Sequence, residues 1–214
     1  ERKDDIQSEV EQVVSLDLFI VSIFFVPLAI FANDFIFLWL GKGFEQAHMI
    51  VIILAFTLLC RTISRPISQL LLAKAQHKYL SAIRMIAVII NIPLSIILGQ
   101  YYGLIGIAIA TLFSFYITDL FLHLILYKFY VKNSVTHLAV GFFRTNLITI
   151  AMILLGYQTL ESIDQLNWLG LLIYSSATFM ISVMVFWLSS LNKEAKTTII
   201  SMVKDKIMRK KILR

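Results

Sequence analysis

Thiol chemistry is nearly absent from this sequence, and charge is scarce. Its one cysteine, Cys60, lies inside an apolar run, which excludes an intrachain disulfide and a thiolate zinc cluster and marks Cys60 as a small core residue. No glycine-rich phosphate loop, paired metal-ligand motif or nucleophile elbow occurs. These absences leave no catalytic residue, metal or cofactor to assign, and the chain is not expected to be an enzyme. Short segments of alternating hydrophobicity, the mark of a membrane β-barrel, are missing as well. Charged residues make up 15% of the 214 positions and hydrophobic ones 59%, with a mean hydropathy of +0.84. Soluble domains are roughly half apolar and a quarter charged. A water-soluble fold of this size could not hide so much apolar surface, so the fold class expected is an all-α membrane protein.

Six apolar runs are present: Leu16 to Ala32, His48 to Leu72, Tyr79 to Leu98, Leu104 to Phe129, Leu138 to Tyr157 and Trp168 to Leu191. Each is near the roughly 20 residues that one helical crossing needs. Lysine and arginine fall on alternate connections. Arg2, Lys3, Lys74, Lys78, Lys128, Lys132 and the tail from Lys193 to Arg214 lie on one side, against Lys42 alone with Asp34, Glu45, Glu161 and Asp164 on the other. By the positive-inside rule both termini are cytoplasmic, in the inner membrane. Trp39, Tyr101, Tyr102, Tyr157 and Trp168 fit an outer aromatic belt, and Tyr79, Tyr127, Tyr130 and Trp187 an inner one.

The net charge of +6 therefore serves topology. It forms no basic face with interleaved aromatics of the kind that binds nucleic acid, and no nucleic-acid partner is expected. Residues 1–14 place Ile6, Val10, Val13 and Val14 on one side of a charged helix. Residues 192–214 do the same with Ile199, Ile200, Val203 and Ile207 beside Lys196, Lys204, Arg209, Lys210 and Lys211. Both read as amphipathic helices against membrane lipid, flanking a transmembrane unit at 15–191. The tail also fits a purely topogenic charge cluster.

Polar residues inside the runs carry the functional information, because charge at membrane depth is costly. In the second run Thr57, Arg61, Ser64, Arg65 and Ser68, followed by Gln69, define one helical face. At about 1.5 Å per residue, Arg61 lies near the bilayer centre. Two readings stay open: a cation-lined substrate cavity, or arginines paired with the few available carboxylates, Asp119 and Asp17. Pro66 and Pro93 are candidate hinges, since proline removes a backbone hydrogen bond. Arg84 and Arg144 are secondary cavity candidates within reach of the inner surface. Asp119 and His123, four residues apart, form a candidate coupling pair able to relay a proton; a structural hydrogen bond or a bridge from Asp119 to arginine is the competing reading. Gly103, Gly106, Ala108 and Ala110 give the fourth run a small-residue face that admits a close helix neighbour.

The stretch from Pro27 through Asn33-Asp34, Trp39 and Gly41-Lys42-Gly43-Phe44 to Ala47 resembles polysaccharide and O-antigen repeat-unit flippases. These belong to the multidrug/oligosaccharidyl-lipid/polysaccharide exporter superfamily. Gln69 to Lys78, Asn91-Ile92-Pro93-Leu94-Ser95 and Tyr102-Gly103 through Thr111 come next in the same order. The resemblance spans about Gln12 to Lys132. It implies a two-lobed, MATE-like transporter of which this chain is the carboxy-terminal, six-helix lobe, with the amino-terminal lobe upstream; the absence of an initiating methionine agrees. It further implies a polyprenyl-diphosphate-linked oligosaccharide as the substrate, flipped towards the periplasm for surface polysaccharide such as the O-antigen of lipopolysaccharide. A cation-coupled drug exporter and a cell-wall precursor flippase are alternatives within the superfamily. A scaffold or a membrane enzyme is expected less, given the buried polar stripes and short outer loops.

Overall fold

A computed structural model describes residues 2–131, 135–160, 166–192 and 194–201. The tail beyond Ser201, Lys132 and the acidic pair Glu161 and Asp164, all of which bear on the expected topology, lie outside the described residues. The described residues are helical nearly throughout: α1 (Arg2–Leu40), α2 (Ala47–Ala73), α3 (His77–Phe115), a π-helical segment (Tyr116–Leu122), α4 (His123–Val131), α5 (Thr136–Leu160) and α6 (Trp168–Ser189). Residues 194–201 form a further helical stretch.

α1 is the axis of the bundle. Val10, Val14, Leu18, Phe25 and Ala29 face a core shared with Leu59, Cys60, Ile63 and Ile67 of α2 and with Leu138 and Phe142 of α5. Its other side, Ile23, Val26, Ile30 and Phe31, packs on Leu171 and Phe186 of α6. The helix continues without a break at residue 14 and ends at Leu40, well past the expected end at Ala32. Residues 2–14 are continuous with the first span in one helix: Val10 and Val14 are buried in the bundle, and Gln12 bonds to Thr198 beyond α6. At 1.5 Å per residue, α1 is roughly 58 Å long, about twice the hydrocarbon thickness of a bilayer.

α3, the π-helical segment and α4 together would be far too long to cross a membrane once as a straight rod. Gly103 interrupts them at φ 60° and ψ −140°, a conformation open to glycine because it lacks a Cβ. The chain then doubles back. Ser114 Oγ donates to the Ala87 carbonyl at 2.8 Å, and Asn91 Nδ2 reaches Thr111 Oγ1 at 3.4 Å. A Cβ on Gly106 would stand 2.0 Å from the Leu98 carbonyl oxygen. Contacts that close up in this order make the two halves of α3 an antiparallel hairpin, with Gly106 at its narrowest point. Among the described residues, five helices are long and apolar enough to cross a membrane, or six with α3 divided at Gly103.

The remaining contacts give a consistent direction to each helix. Phe35 of α1 meets Trp168 at the start of α6, while Ser15 Oγ donates to the Ser190 carbonyl at its end, so α1 and α6 are antiparallel. Gly156 of α5 lies against Ile30 of α1, and Tyr157 Oη donates to the Ala29 carbonyl at 2.9 Å. Trp39, Tyr101, Tyr102 and Trp168 are exposed at helix ends. Tyr127 departs from its expected place in the inner belt: it is wholly buried among the core residues of α1, α2 and α5. Cys60 is wholly buried too.

Candidate functional site: an arginine-lined cavity

Asp119 is the one carboxylate among the fully buried described residues, and two arginines converge on it. Arg84 Nη1 of α3 donates to Oδ1 at 3.1 Å, and Arg61 Nε of α2 lies 3.5 Å from Oδ2. The Asp119 side chain is 0% exposed, whereas those of Arg61 and Arg84 are 38% and 49% exposed. The two guanidiniums line a cavity of about 540 Å³ between α2 and the α3 hairpin, together with Asn91, Thr111, Ser114 and Phe115. The Arg61 guanidinium also sits 5.1 Å from the centre of the Phe115 ring, a cation–π contact. Two cations share one anion, so the cluster carries a net charge of about +1.

The π-helical segment fixes where Asp119 points. Thr118 Oγ1 donates to the Ser114 carbonyl at 2.8 Å, and His123 Nδ1 donates to the Thr118 carbonyl at 2.9 Å. Side chains that occupy backbone carbonyls compete with the regular helical ladder and widen it locally. A π segment admits an extra residue per turn, and such segments recur at functional sites. His123 Nε2 in turn shares a hydrogen bond with Ser68 Oγ of α2 at 3.0 Å. Because a carbonyl can only accept, the contact with Thr118 puts a proton on Nδ1. His123 Nδ1 is 4.0 Å from Asp119 Oδ1, with its proton committed to Thr118.

The expected face of α2 divides into two parts. Arg61 lines the cavity and Ser68 locks His123. Thr57 and Ser64 are buried, their hydroxyls donating to the Leu54 and Arg61 carbonyls of their own helix. Arg65 and Gln69 are exposed and do not line this cavity; Arg65 interacts electrostatically with Asp17 of α1. Arg84 is a full member of the cluster. Arg144 is not: it lines a separate pocket of about 200 Å³ with Glu11, Ser15, His137, Ser190 and Asn192. α2 stays helical through Pro66, and α3 through Pro93. The departures from regular helix fall instead at Gly103 and Tyr116–Leu122. Sequence reading missed the π segment. Its signal is Thr118 with His123 five residues on, both able to bond carbonyls one turn back within the helix.

The fold and site together describe a multi-pass helical membrane protein with a largely apolar cavity, edged by two arginines, at the side of its bundle. Its sequence is similar to that of the probable low-salt glycan biosynthesis flippase of Haloferax volcanii. Identity is 24% over 184 aligned residues, covering 83% of this chain and 39% of that protein. The chain thus spans about two fifths of the relative's length. No family model and no solved structure matches it. The relative is named as a flippase, a transporter rather than an enzyme.

Proposed function

We propose that this chain is the carboxy-terminal, six-crossing lobe of a two-lobed transporter of the MATE-like type. It flips a polyprenyl-diphosphate-linked oligosaccharide across the cytoplasmic membrane for surface glycan synthesis, with both termini cytoplasmic. The observation that carries the reading is the half-exposed arginine pair. Arg61 and Arg84 outnumber the carboxylate they share, and both line a cavity. Guanidinium forks suit phosphate oxygens, and several such contacts can replace the water that a diphosphate loses on entering the membrane. The similarity to a glycan flippase supports the same substrate class. Asp119 and His123 are the groups nearest the arginines through which binding could be coupled to a driving force. Pro66 and Pro93 are proposed hinges for rocking of the lobe.

The test is Arg61→Ala in the native gene. Arg84 still pairs Asp119, so membrane abundance stays near normal while transfer of the lipid-linked glycan is lost. Arg61→Lys keeps the charge without the planar fork and restores transfer only in part. Normal glycan export by Arg61→Ala rules out the cationic cavity. Disappearance of the protein instead favours a second reading, in which the ion pair mainly holds α2 to the α3 hairpin. Six alternating crossings further require that cysteines at Gln76 and Gln100 label from opposite sides of the membrane. The buried thiol of Cys60 keeps the background low.

A further inference from the structure

We infer that Asp119 is a built-in stand-in for the anionic group of the substrate: it holds Arg84 firmly and Arg61 loosely, so that Arg61 is the arm an incoming phosphate captures. The inference rests on the diphosphate reading above and adds an order of events to it. The two arms of the cluster are unequal. Arg84 Nη1 makes a hydrogen-bonded ion pair with Oδ1 at 3.1 Å. On the other side, Oδ2 is buried with no hydrogen-bond partner among the described residues, although Arg61 Nε stands 3.5 Å away. Arg61 therefore supplies charge to Oδ2 but not a formed hydrogen bond, and charge-assisted hydrogen bonds are the strong ones.

Arg61 has somewhere else to rest. Its guanidinium lies over the Phe115 ring at the cavity wall, 5.1 Å from the centroid, so a short swing towards the cavity keeps that face contact. Asp119 cannot follow. Its segment is held by Thr118 Oγ1 on the Ser114 carbonyl, by His123 Nδ1 on the Thr118 carbonyl and by Ser68 on His123. A fixed, buried carboxylate with one firm and one loose cation keeps Arg61 compensated while the cavity is empty, and it competes with any anion that enters. Competition of this kind weakens binding and speeds release, which a transporter needs and a storage site does not. Asp119 is thus a positioning residue acting through Arg61.

The experiment measures binding of farnesyl diphosphate, with farnesol as the uncharged control, to the detergent-purified protein, alongside glycan export in cells carrying the same substitution. Arg61→Gln is expected to weaken farnesyl diphosphate binding by about tenfold, the worth of one charge-assisted contact, and to leave farnesol unaffected. Asp119→Asn removes the competitor and is expected to tighten farnesyl diphosphate binding by about tenfold while slowing export. Unchanged or weaker binding by Asp119→Asn, with Arg61→Gln still weakened, overturns the inference and leaves the proposed function standing. Indifference of binding to Arg61→Gln overturns both. If Asp119→Asn fails to accumulate, Asp119→Glu decides. Its longer arm closes the gap to Arg61 and is expected to weaken diphosphate binding; unaltered binding again overturns the inference.

Discussion

Two polar clusters lie inside this bundle, and they are built from different chemistry. Within the amino-terminal half of α1, Ser15 Oγ donates to the Ser190 carbonyl at 2.9 Å and accepts from Asn192 N at 3.2 Å, while Thr145 and Ser190 share a hydroxyl contact at 3.1 Å. These groups are neutral, partnered and placed where α1, α5 and the end of α6 meet. At the other cluster, Asp119 carries two arginines and an acceptor oxygen with no hydrogen bond among the described residues. Hydroxyl ties between membrane helices contribute modestly and specify packing. A charged cluster with surplus cation costs more to keep than hydroxyl ties do.

The contrast is most sharply broken by taking both cations away. Arg61→Ala with Arg84→Ala leaves Asp119 buried and uncompensated, which should cost about 3–5 kcal/mol. The protein is then expected to be lost from the membrane, as read by immunoblot of membrane fractions. Adding Asp119→Asn to this double variant should restore the protein but not glycan export, separating charge balance from function in one strain. No comparable loss is expected from any pair of hydroxyl removals at the Ser15 cluster.

A strong effect without any change of charge is expected at Gly106. A methyl there would meet the Leu98 carbonyl oxygen at 2.0 Å and the Gly99 nitrogen at 3.1 Å. These are backbone atoms that cannot rotate aside, unlike the flexible Ile30 tip near Gly156. Gly106→Ala should cost roughly 3 kcal/mol by forcing the α3 hairpin apart, seen as a lower Tm in detergent, and should impair export because Arg84 and Thr111 stand on opposite halves of that hairpin. Gly156→Ala should shift Tm far less.

Ser68→Ala comes next in size. It strands His123 Nε2 in a buried position at a cost of about 1–2 kcal/mol, and it loosens the lock on the π segment. Thermal stability should fall and export should drop in part, with Arg61→Gln remaining the more damaging change for export. The smallest effect is expected from Ser15→Ala. Losing a neutral interhelical tie should cost about 0.6 kcal/mol, with export unchanged. Export sensitive to Ser15→Ala and indifferent to Ser68→Ala would reverse the assignment of the two clusters.

Much of this was legible in the residues, for identifiable reasons. Apolar runs of membrane-crossing length do not depend on partners, so each is helical among the described residues, in five helices of that length or six with α3 divided at Gly103. The deep position of Arg61 and the shortage of carboxylates in the runs already made Asp119 one of its possible partners. Rotation about each helix axis was not legible. A face drawn from Thr57 to Ser68 says which residues align but not what lies opposite, so Arg65 drifted to Asp17 while Arg84 joined the site. Arg144 resembled Arg84 in depth yet belongs to another interface. Tyr127 looked interfacial because tyrosines near helix ends usually are; the phase beyond the π segment turns it into the core.

That phase has an evolutionary corollary. Each residue of an α-helix advances the chain by about 100°, so the residue accommodated by the Tyr116–Leu122 segment is a frameshift in three dimensions, tolerated because the helix beyond it has adapted. Deleting one residue between Tyr116 and Leu122 would let the helix run regularly and would swing His123 to Val131 by about 100°. Tyr127 would leave the core and His123 would leave Ser68, while every hydrophobic run kept its length. Single-residue length variants at this spot in natural homologues should therefore carry compensating exchanges at the positions of Ser68, His123 and Tyr127.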